Sequence, residues 1–363
     1  MVNYEEQIKQ LEDEIRNTQY NKATQHHIGL TKAKISVLKD KQLARSKGGK
    51  KEGYDVRKTG DGTVIIIGFP SVGKSTLLNN LTDASSPVGH YAFTTLKVYP
   101  GIMHYKHAKI QILDVPGVIE GAASGKGRGK EVLSTVRSAD MVLILVDVNQ
   151  PEQYDVLKKE IYEMGIRLDQ EKPDVKIKKT PRGGIIIGKT VKLDMADETI
   201  KSILKEIRIN NAEVLIRSKI DEDQLIDIVE SNKIYIPSLV VLNKIDTVSK
   251  SGLKYVKKKK KIDIAISAEK KEHLSELKEL IFKKLNLMRI YLKEPGKEAD
   301  MEVPLIIFKE STIRNVCRKL HKDFEMKFRF SRIWGKSVRY NGMKIVKLDH
   351  ILKDEDILEL HIK

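Results

Sequence analysis

The segment that most constrains this chain is Gly68–Ser75, which reads Gly-Phe-Pro-Ser-Val-Gly-Lys-Ser and directly follows the apolar run Val64–Ile67. This pattern predicts a strand, a glycine-bounded loop and then a helix over Thr76–Leu81. Successive backbone N–H groups of such a loop wrap phosphates, and the positive end of the helix adds to the attraction. We expect Lys74 to reach the outer phosphates and Ser75 to hold Mg²⁺. The alternative is a tight turn that contains Lys-Ser without this role.

A second motif predicts which base sits above those phosphates. The apolar strand Val240–Leu242 runs into Asn243-Lys244-Ile245-Asp246. The Asp246 carboxylate can accept hydrogen bonds from the ring N–H and the exocyclic amine of guanine, whereas adenine would leave it unpaired. We expect Asn243 to tie this loop to the phosphate loop and to the base, and the Lys244 stem to lie over the ring. The later segment Ile264–Ala268 predicts a further strand and turn, with the Ala268 N–H directed at the guanine carbonyl oxygen.

The residues between these motifs predict a sensor for a third phosphate. The short strand Ile110–Leu113 leads into Asp114-Val115-Pro116-Gly117. Asp114 could hold Mg²⁺ through water, and the Gly117 N–H could bond the γ-phosphate. Upstream, Thr94 and Thr95 offer hydroxyl groups for Mg²⁺ in a segment rich in turn formers, although plain strand threonines are the alternative. The ligand could order such a segment and release it after hydrolysis.

These motifs give a set of expected site residues. Lys74, Thr95 and Gly117 are expected to act in catalysis, and Ser75, Thr95 and Asp114 to ligate the metal. The residues expected to bind the nucleotide are Gly68, Phe69, Pro70, Ser71, Val72, Gly73, Lys74, Ser75, Thr76, Asp114, Val115, Pro116, Gly117, Val118, Asn243, Lys244, Ile245, Asp246, Ser267 and Ala268.

Position 118 predicts slow chemistry. Val118 stands where the Ras pattern has a glutamine that orients the attacking water, so we expect intrinsic turnover on the order of 10⁻³ s⁻¹ or below. GTPases with an apolar residue at this place often use K⁺ between the phosphates, coordinated in part by an asparagine of the phosphate loop. Ser71 occupies that place here and is a poorer ligand, so stimulation by K⁺ stays open.

Several segments carry a family resemblance. Asp114–Val118 and the glycine-rich stretch Ile119–Leu133 resemble the second switch of the Obg class of GTPases. Within that class, Asn21–His27 and Asn211–Leu215 resemble the developmentally regulated GTP-binding (DRG) proteins, and the likeness covers nearly the whole chain. It implies an α/β fold: a P-loop GTPase domain of the Ras type with a mostly parallel sheet, and a C-terminal ubiquitin-like (β-grasp) TGS domain whose family role is binding RNA or ribosomes.

Spacing predicts the domain order. The gap from Asn149 to Ser238 is 90 residues, whereas a minimal G domain needs about 30 for one helical crossover. We therefore expect an inserted small α+β domain over 166–235, within a G domain formed by 61–165 and 236–288. Heptad-spaced Tyr4, Ile8, Leu11 and Ile15 and a second apolar series predict a helical hairpin within 1–60. Residues 289–363 are expected to form the TGS domain, with one helix over Thr312–Phe324.

Charge and composition narrow the partners and the compartment. The net charge of +17 in 363 residues predicts a field that attracts polyanions, above all RNA. The segment from Asp300 to Leu348 contains 12 basic and 5 acidic residues, a net charge of +7, with aromatic residues interleaved among them. Phe328 and Phe330 are predicted as core residues of alternating strands, and Lys257–Lys261 as a solvated loop. A single cysteine excludes a disulfide framework, and the lack of a signal peptide or of an apolar run of about 18 residues predicts a cytoplasmic protein without membrane contact.

Together these features predict an Mg²⁺-dependent GTPase that cycles between GTP and GDP and acts as a ribosome- or RNA-associated switch in translation. The alternative is an RNA or ribosome docking protein in which the nucleotide is a slow structural latch. A third interpretation, an ATPase of the neighbouring Obg-like class, is weakened by Asp246. No specificity for DNA is expected, and a regulatory protein partner stays open.

Overall fold

The computed structural model describes residues 4–45, 60–82, 99–114 and 135–362. Within these ranges the helices are α1 Tyr4–Asn17, α2 Gln25–Arg45, α3 Lys74–Leu81, α4 Gln153–Glu163, α5 Asp197–Glu206, α6 Glu222–Glu230, α7 Lys250–Lys259, α8 Leu274–Lys284, α9 Ile313–Leu320 and α10 Phe324–Lys327, with a 3₁₀ turn at Ile245–Thr247. The strands are β1 Gly62–Ile67, β2 Tyr99–Tyr105, β3 Ala108–Asp114, β4 Met141–Asp147, β5 Ile166–Leu168, β6 Val175–Lys179, β7 Ile185–Lys189, β8 Ala212–Ile216, β9 Ile234–Ile236, β10 Ser238–Asn243, β11 Ile264–Ala265, β12 Leu287–Lys293, β13 Leu305–Phe308, β14 Phe328–Trp334, β15 Met343–Ile345 and β16 Asp356–Ile362.

The chain divides into two compact units. The first combines Met1–Glu52 with Gln170–Tyr235, and the second combines Gly53–Asp169 with Ile236–Lys363. Of the helices in the described ranges, none has both the length and the hydropathy needed to cross a membrane.

A six-stranded sheet organises the second unit, in the order β11-β10-β4-β1-β3-β2. Its pairs are parallel except for the edge pair β2 and β3, which is antiparallel. Strands β1 and β10 are buried along their whole length, which explains why they read as continuous apolar runs rather than alternating patterns. Because β1, β3, β10 and β11 are parallel, their carboxyl ends open on one edge of the sheet, where ligands bind in folds of this kind.

The C-terminal sheet has the order β13-β12-β16-β14-β15. Helix α9 packs on it, with Ile313, Val316 and Cys317 fully buried in its core. Cys317 is therefore a core residue, as its helical spacing predicts. The helix predicted over Thr312–Phe324 is shorter than expected: it ends at Leu320, and a separate short helix begins at Phe324.

The C-terminal sheet joins the G domain without a linker. Helix α8 ends at Lys284, and β12 begins at Leu287. Leu285, Leu287 and Ile306 belong to the hydrophobic core beneath the six-stranded sheet. Lys319 of α9 also pairs with Asp61 at 2.7 Å, just ahead of β1. The C-terminal sheet therefore contributes to the core of the six-stranded sheet, and an ion pair links α9 to the residue before β1.

The first unit contains the N-terminal hairpin and the three-stranded sheet β6-β8-β7 with helices α5 and α6. Ala33 of α2 is fully buried in the same core as Ile203 and Leu225. Gly29 of α2 lies so close to α5 that an added Cβ would meet the Ile203 side chain at 3.1 Å. Lys32 pairs with Asp223 at 2.7 Å. The sequence predicts the hairpin and the insert as separate domains, but here they form one unit because α2 completes the insert's core.

Two expectations are corrected by the fold. Lys257, Lys258 and Lys259 form the last turn of α7, so the lysine run predicted as a loop is largely helical. Phe328 packs against the C-terminal core as predicted, but Phe330 does not join that core and stacks on His361 instead, with ring centroids 4.1 Å apart. A bulge in the β14 and β16 pairing between these phenylalanines separates their environments.

Candidate nucleotide-binding site

The phosphate loop, Gly68–Ser75, leaves the carboxyl end of β1 and enters α3. Its turns need left-handed backbone at Ser71, with φ +61, and at Gly73, with φ +95. A Cβ at Gly73 would lie 2.5 Å from the Asn243 Nδ2, and one at Gly68 would lie 2.6 Å from the Leu145 carbonyl oxygen. Close packing therefore requires glycine at both positions, and the left-handed backbone favours it at Gly73 as well.

Lys74 and Ser75 lie at the start of α3 and face the end of β3. The Lys74 Nζ donates to the carbonyl oxygens of Gly68 at 3.0 Å and Phe69 at 2.9 Å, so the ammonium is held at the loop itself. The Ser75 hydroxyl donates to the Asp114 Oδ2 at 3.1 Å. Burial lowers the pKa of Lys74 below its usual value, partly opposed by the charge of Asp114.

Asp114 is the residue of this group that best fits a cation. It is 2% exposed, and burial raises its pKa, against the opposing effects of Lys74 and the Ser75 hydrogen bond. Among the described residues, the buried Asp114 Oδ1 finds no hydrogen-bond partner. A buried carboxylate oxygen without a donor, beside a serine hydroxyl, suits a hard cation that prefers oxygen ligands. Ser75 and Asp114 thus fit Mg²⁺.

Asn243 connects the phosphate loop to the base loop, which we define as Asn243–Asp246. It is 2% exposed at the end of β10. Its Nδ2 donates to the Val72 carbonyl oxygen at 2.9 Å, and its Oδ1 accepts from the Ala268 N–H at 2.9 Å. One side chain therefore fixes three loops. The Ala268 N–H is expected from the sequence to face a guanine oxygen, but here it donates to Asn243, because that buried amide needs a donor.

The rest of the base loop is held by its neighbours. Lys244 has φ +65, and its Nζ pairs with Asp147 of β4 at 2.7 Å. Asn149 donates to Asp147 at 3.0 Å and to the Thr247 hydroxyl at 3.0 Å. A hydrogen bond from Ser267 lowers the pKa of Asp246, which favours its ionised form. An ionised carboxylate is the acceptor that two N–H groups of a guanine ring require.

Several predicted site residues lie outside the described residues. These are Thr94, Thr95, Val115, Pro116, Gly117 and Val118, together with the glycine-rich stretch after them. The structure brings together the remaining groups: the phosphate loop, Asp114, the base loop, Ser267 and Ala268. Their roles toward a nucleotide stay predictions.

Sequence reasoning missed three residues of this site. Asn80 of α3 donates to the Ala268 carbonyl oxygen at 2.8 Å and so holds the turn from the opposite side to Asn243. Asp147 and Asn149 support the Lys244 loop. A polar residue on a surface helix gives no signal of such a contact. The signal for Asp147 was available, because it ends an apolar strand adjacent to β10 at the ligand edge of a parallel sheet.

The outer face of the C-terminal sheet carries a second group of candidate residues. We call Phe330, Arg332, Trp334, Lys344 and His361 the aromatic-basic face. The Lys344 Nζ lies 4.3 Å from the Phe330 ring centroid, and Lys293 lies 4.6 Å from that of Trp334. Arg332 is exposed. Lys293 pairs with Glu359, so the exposed cations of this face are Arg332 and Lys344, which can hold phosphates.

Comparison with known families agrees with this geometry. A model described as "50S ribosome-binding GTPase" matches residues 63–179, a model of the C-terminal region of that domain matches 182–287, and a TGS domain model matches 288–362. The fold and the site together define a P-loop GTPase domain followed by a TGS domain of ubiquitin-like fold, which confirms the predicted fold class.

Full-length relatives identify the family. The chain is 53% identical to an uncharacterized GTP-binding protein of Methanocaldococcus jannaschii, over 100% of this chain and 94% of that one. It is 42% identical to developmentally-regulated GTP-binding protein 1 of Xenopus laevis, over 97% of each. It is 40% identical to the human developmentally-regulated GTP-binding protein 2, over 98% of each. The chain belongs to the developmentally regulated GTP-binding protein family. The wider Obg class describes these relatives only loosely.

Among solved structures, the YchF GTPase of Schizosaccharomyces pombe aligns over 84% of this chain and 99% of its own length, with 14% identity and a TM-score of 0.49.

Proposed function

We propose that this protein binds GTP with Mg²⁺, hydrolyses it slowly to GDP and phosphate, and uses the two nucleotide states as a switch on RNA or the ribosome. The observation that carries the proposal is Asn243, which is buried and bonded to both the phosphate loop and the Ala268 turn. This contact supports one continuous site for phosphates and a base. A loop that binds any anion would not need such a connection to a base-binding loop.

The hydrolytic step is attack of water on the γ-phosphorus, with cleavage of the bond to the β–γ bridging oxygen. Mg²⁺ held by Ser75 and Asp114 would neutralise charge on the β- and γ-phosphates. The Lys74 ammonium, already positioned at the loop by two carbonyl oxygens, supplies a further positive charge for the transition state. The left-handed backbone at Ser71 and Gly73 would allow the N–H groups of the loop to face the phosphates.

Guanine selectivity is assigned to Asp246. The hydrogen bond from Ser267 favours the ionised carboxylate, and the ion pair between Lys244 and Asp147 holds the loop that carries it. An ATP molecule would offer Asp246 no N–H pair and would leave an unpaired acceptor. This argument favours GTP over ATP.

The RNA or ribosome partner is proposed from the aromatic-basic face and from the net positive charge of the TGS region. The family model that matches residues 63–179 is described as a ribosome-binding GTPase, which supports this partner. Exposed Arg332 and Lys344 would contact phosphates, and the rings of Phe330 and Trp334, which lie beneath Lys344 and Lys293, would line the same surface.

The test measures phosphate release from GTP and from ATP by the full-length protein, with and without Mg²⁺ and ribosomes, and ribosome co-sedimentation with a GTP analogue or GDP. We expect Mg²⁺-dependent release from GTP alone, stimulated by ribosomes, and co-sedimentation that differs between the two nucleotides. Ribosome binding that ignores the nucleotide would instead support the docking alternative. Equal turnover of ATP would contradict the assignment of Asp246.

A further inference from the structure

Helix α7, Lys250–Lys259, carries only positively charged side chains among its ionisable residues apart from Tyr255. Between Thr247 and Ile262 the sequence has seven lysines and no acidic residue. Val256 faces the domain interior, while Lys250, Lys254 and Lys258 are exposed at four-residue intervals. Residues four apart lie on one side of a helix, about 6 Å apart along its axis. The three side chains therefore form a row of ammonium groups on the solvent side.

Helix stability explains only the C-terminal end of this row. Cations favour the C-terminal end of a helix, which accounts for Lys257, Lys258 and Lys259 in the last turn. Lys250 occupies the first turn, where the helix dipole disfavours a cation, and that turn has no acidic residue. Like charges four residues apart cost about 0.2–0.5 kcal/mol per pair in an isolated helix. The row thus destabilises the helix slightly.

The same lysines lack internal partners in the part of the chain that the structure describes. Lys260 is the lysine of this run that forms an ion pair there, with Asp155 of α4. Lys250, Lys254 and Lys258 form neither an ion pair nor a hydrogen bond within the described ranges. Their charge is therefore available to a ligand.

An aromatic ring lies beside the row. Tyr255 is 60% exposed, an unusual position for a large ring, and the Lys259 Nζ lies 4.3 Å from its centroid. A membrane-binding helix would present an apolar face to lipid, but here the apolar Val256 is buried against the domain. Compact ammonium groups in a row beside one exposed aromatic ring match the phosphates and an unstacked base of single-stranded RNA.

We propose that α7 is a second RNA-binding surface, in which Lys250, Lys254 and Lys258 contact successive phosphates and Tyr255 stacks on an unpaired base. The proposal rests on the RNA-associated role inferred above, and it places a contact on the G domain, separate from the aromatic-basic face. Because α7 begins four residues after Asp246, with Ser249 as its N-cap, RNA on this helix would lie next to the base loop.

The test is fluorescence anisotropy of a labelled single-stranded RNA of about 16 nucleotides against the full-length protein over a range of salt concentrations. The variant Lys250→Gln/Lys254→Gln/Lys258→Gln should reduce the slope of log affinity against log salt by about 2, since each lost contact to a single strand removes about 0.7. The matched control removes three exposed lysines elsewhere, Lys22, Lys192 and Lys205, and should leave the slope nearly unchanged.

The tyrosine gives an independent readout. Tyr255→Ala should weaken RNA binding about tenfold or more without changing the salt slope, because base stacking carries no net charge. Polyglutamate has similar charge but no bases, so Tyr255→Ala should not change binding of that probe. Circular dichroism and GTP affinity should match the wild type in every variant.

Three results would overturn the proposal in distinguishable ways. If the α7 variants bind RNA like the control while Arg332→Gln/Lys344→Gln weakens it, the RNA role stands and the α7 surface does not. If the wild-type protein fails to bind RNA or ribosomes, both the α7 surface and the proposed RNA role fail. If the α7 variants lose binding to polyglutamate or to phosphatidylserine vesicles but not to RNA, the partner is an acidic protein or a membrane.

Discussion

The nucleotide site and the aromatic-basic face belong to the same compact unit but are built in opposite ways. In the nucleotide site, Asn243 and Asp114 are almost completely buried: Asn243 bonds to atoms of two neighbouring loops, and Asp114 accepts from Ser75 of α3. On the aromatic-basic face, Arg332 and Lys344 are exposed. Buried polar groups must be paired and therefore have one defined geometry, whereas exposed charges are adaptable and individually weak. The first site should consequently respond to single substitutions, and the second to the sum of its charges.

The largest effect is expected at the phosphate loop. Lys74→Ala or Ser75→Ala should reduce GTP turnover by roughly 10³-fold or more, since each removes a charge or a metal ligand at the phosphates. Phosphate release under single-turnover conditions measures this. Thr76→Ser, which keeps a hydroxyl in the adjacent position, is the control and should retain activity. Turnover that survives Lys74→Ala would show that the buried site is not the reaction centre.

The next effect concerns the base. Asp246→Asn should invert the donor and acceptor pattern and transfer preference from guanosine to xanthosine nucleotides, by roughly 10²-fold or more. Competition of GTP, XTP and ATP for a fluorescent nucleotide measures the change. Asp263→Asn is a control carboxylate outside the base loop. If the GTP to ATP ratio is unaltered in Asp246→Asn, the guanine assignment is wrong.

Substitution of Asn243 tests whether its two buried hydrogen bonds determine the geometry of the nucleotide site. Asn243→Ala should lower the free energy of unfolding by roughly 1–3 kcal/mol, because the Val72 carbonyl and the Ala268 N–H lose their partner. It should also weaken nucleotide binding. Urea denaturation and nucleotide titration give the two values. The exposed Asn149, which also bonds across this loop, provides the control Asn149→Ala, with an expected cost below about 1 kcal/mol. Equal costs for both would remove the contrast between buried and exposed sites.

The smallest effect per residue is expected on the C-terminal sheet. Arg329→Gln/Arg332→Gln should flatten the salt dependence of ribosome or RNA binding by about 1.4 to 1.8 in slope and leave GTP affinity unchanged. Arg314→Gln/Arg318→Gln removes the same charge from the same domain, but those arginines already pair with Glu325 and should matter less. If the second pair has the larger effect, the binding face lies on α9 instead.

Sequence patterns predicted the parts of the molecule that are defined by spacing. The phosphate loop and the base loop each follow an apolar strand. Because those strands are parallel, their carboxyl ends lie at one edge of the sheet, and a contact between Asn243 and the phosphate loop could be expected. Asn80 could not be expected, because its contact with Ala268 depends on where α3 packs rather than on any local pattern. Phe330 was misplaced because alternation alone does not reveal the bulge in β14. The apolar spacing in α2 predicted a helical hairpin. It did not predict that the face carrying Ala33 would complete the core of the insert.

The junction between α8 and β12 bears on how this protein could have been assembled from parts. Leu285 and Leu287 flank the junction, and both lie in the core of the G domain together with Ile306 of the C-terminal sheet. Removing the C-terminal domain would remove Ile306 and expose Leu285 and Phe282. The G domain would then carry an exposed apolar patch. The two domains are therefore not interchangeable modules. A different C-terminal domain would have to supply apolar side chains that cover Leu285 and Phe282 in place of Ile306.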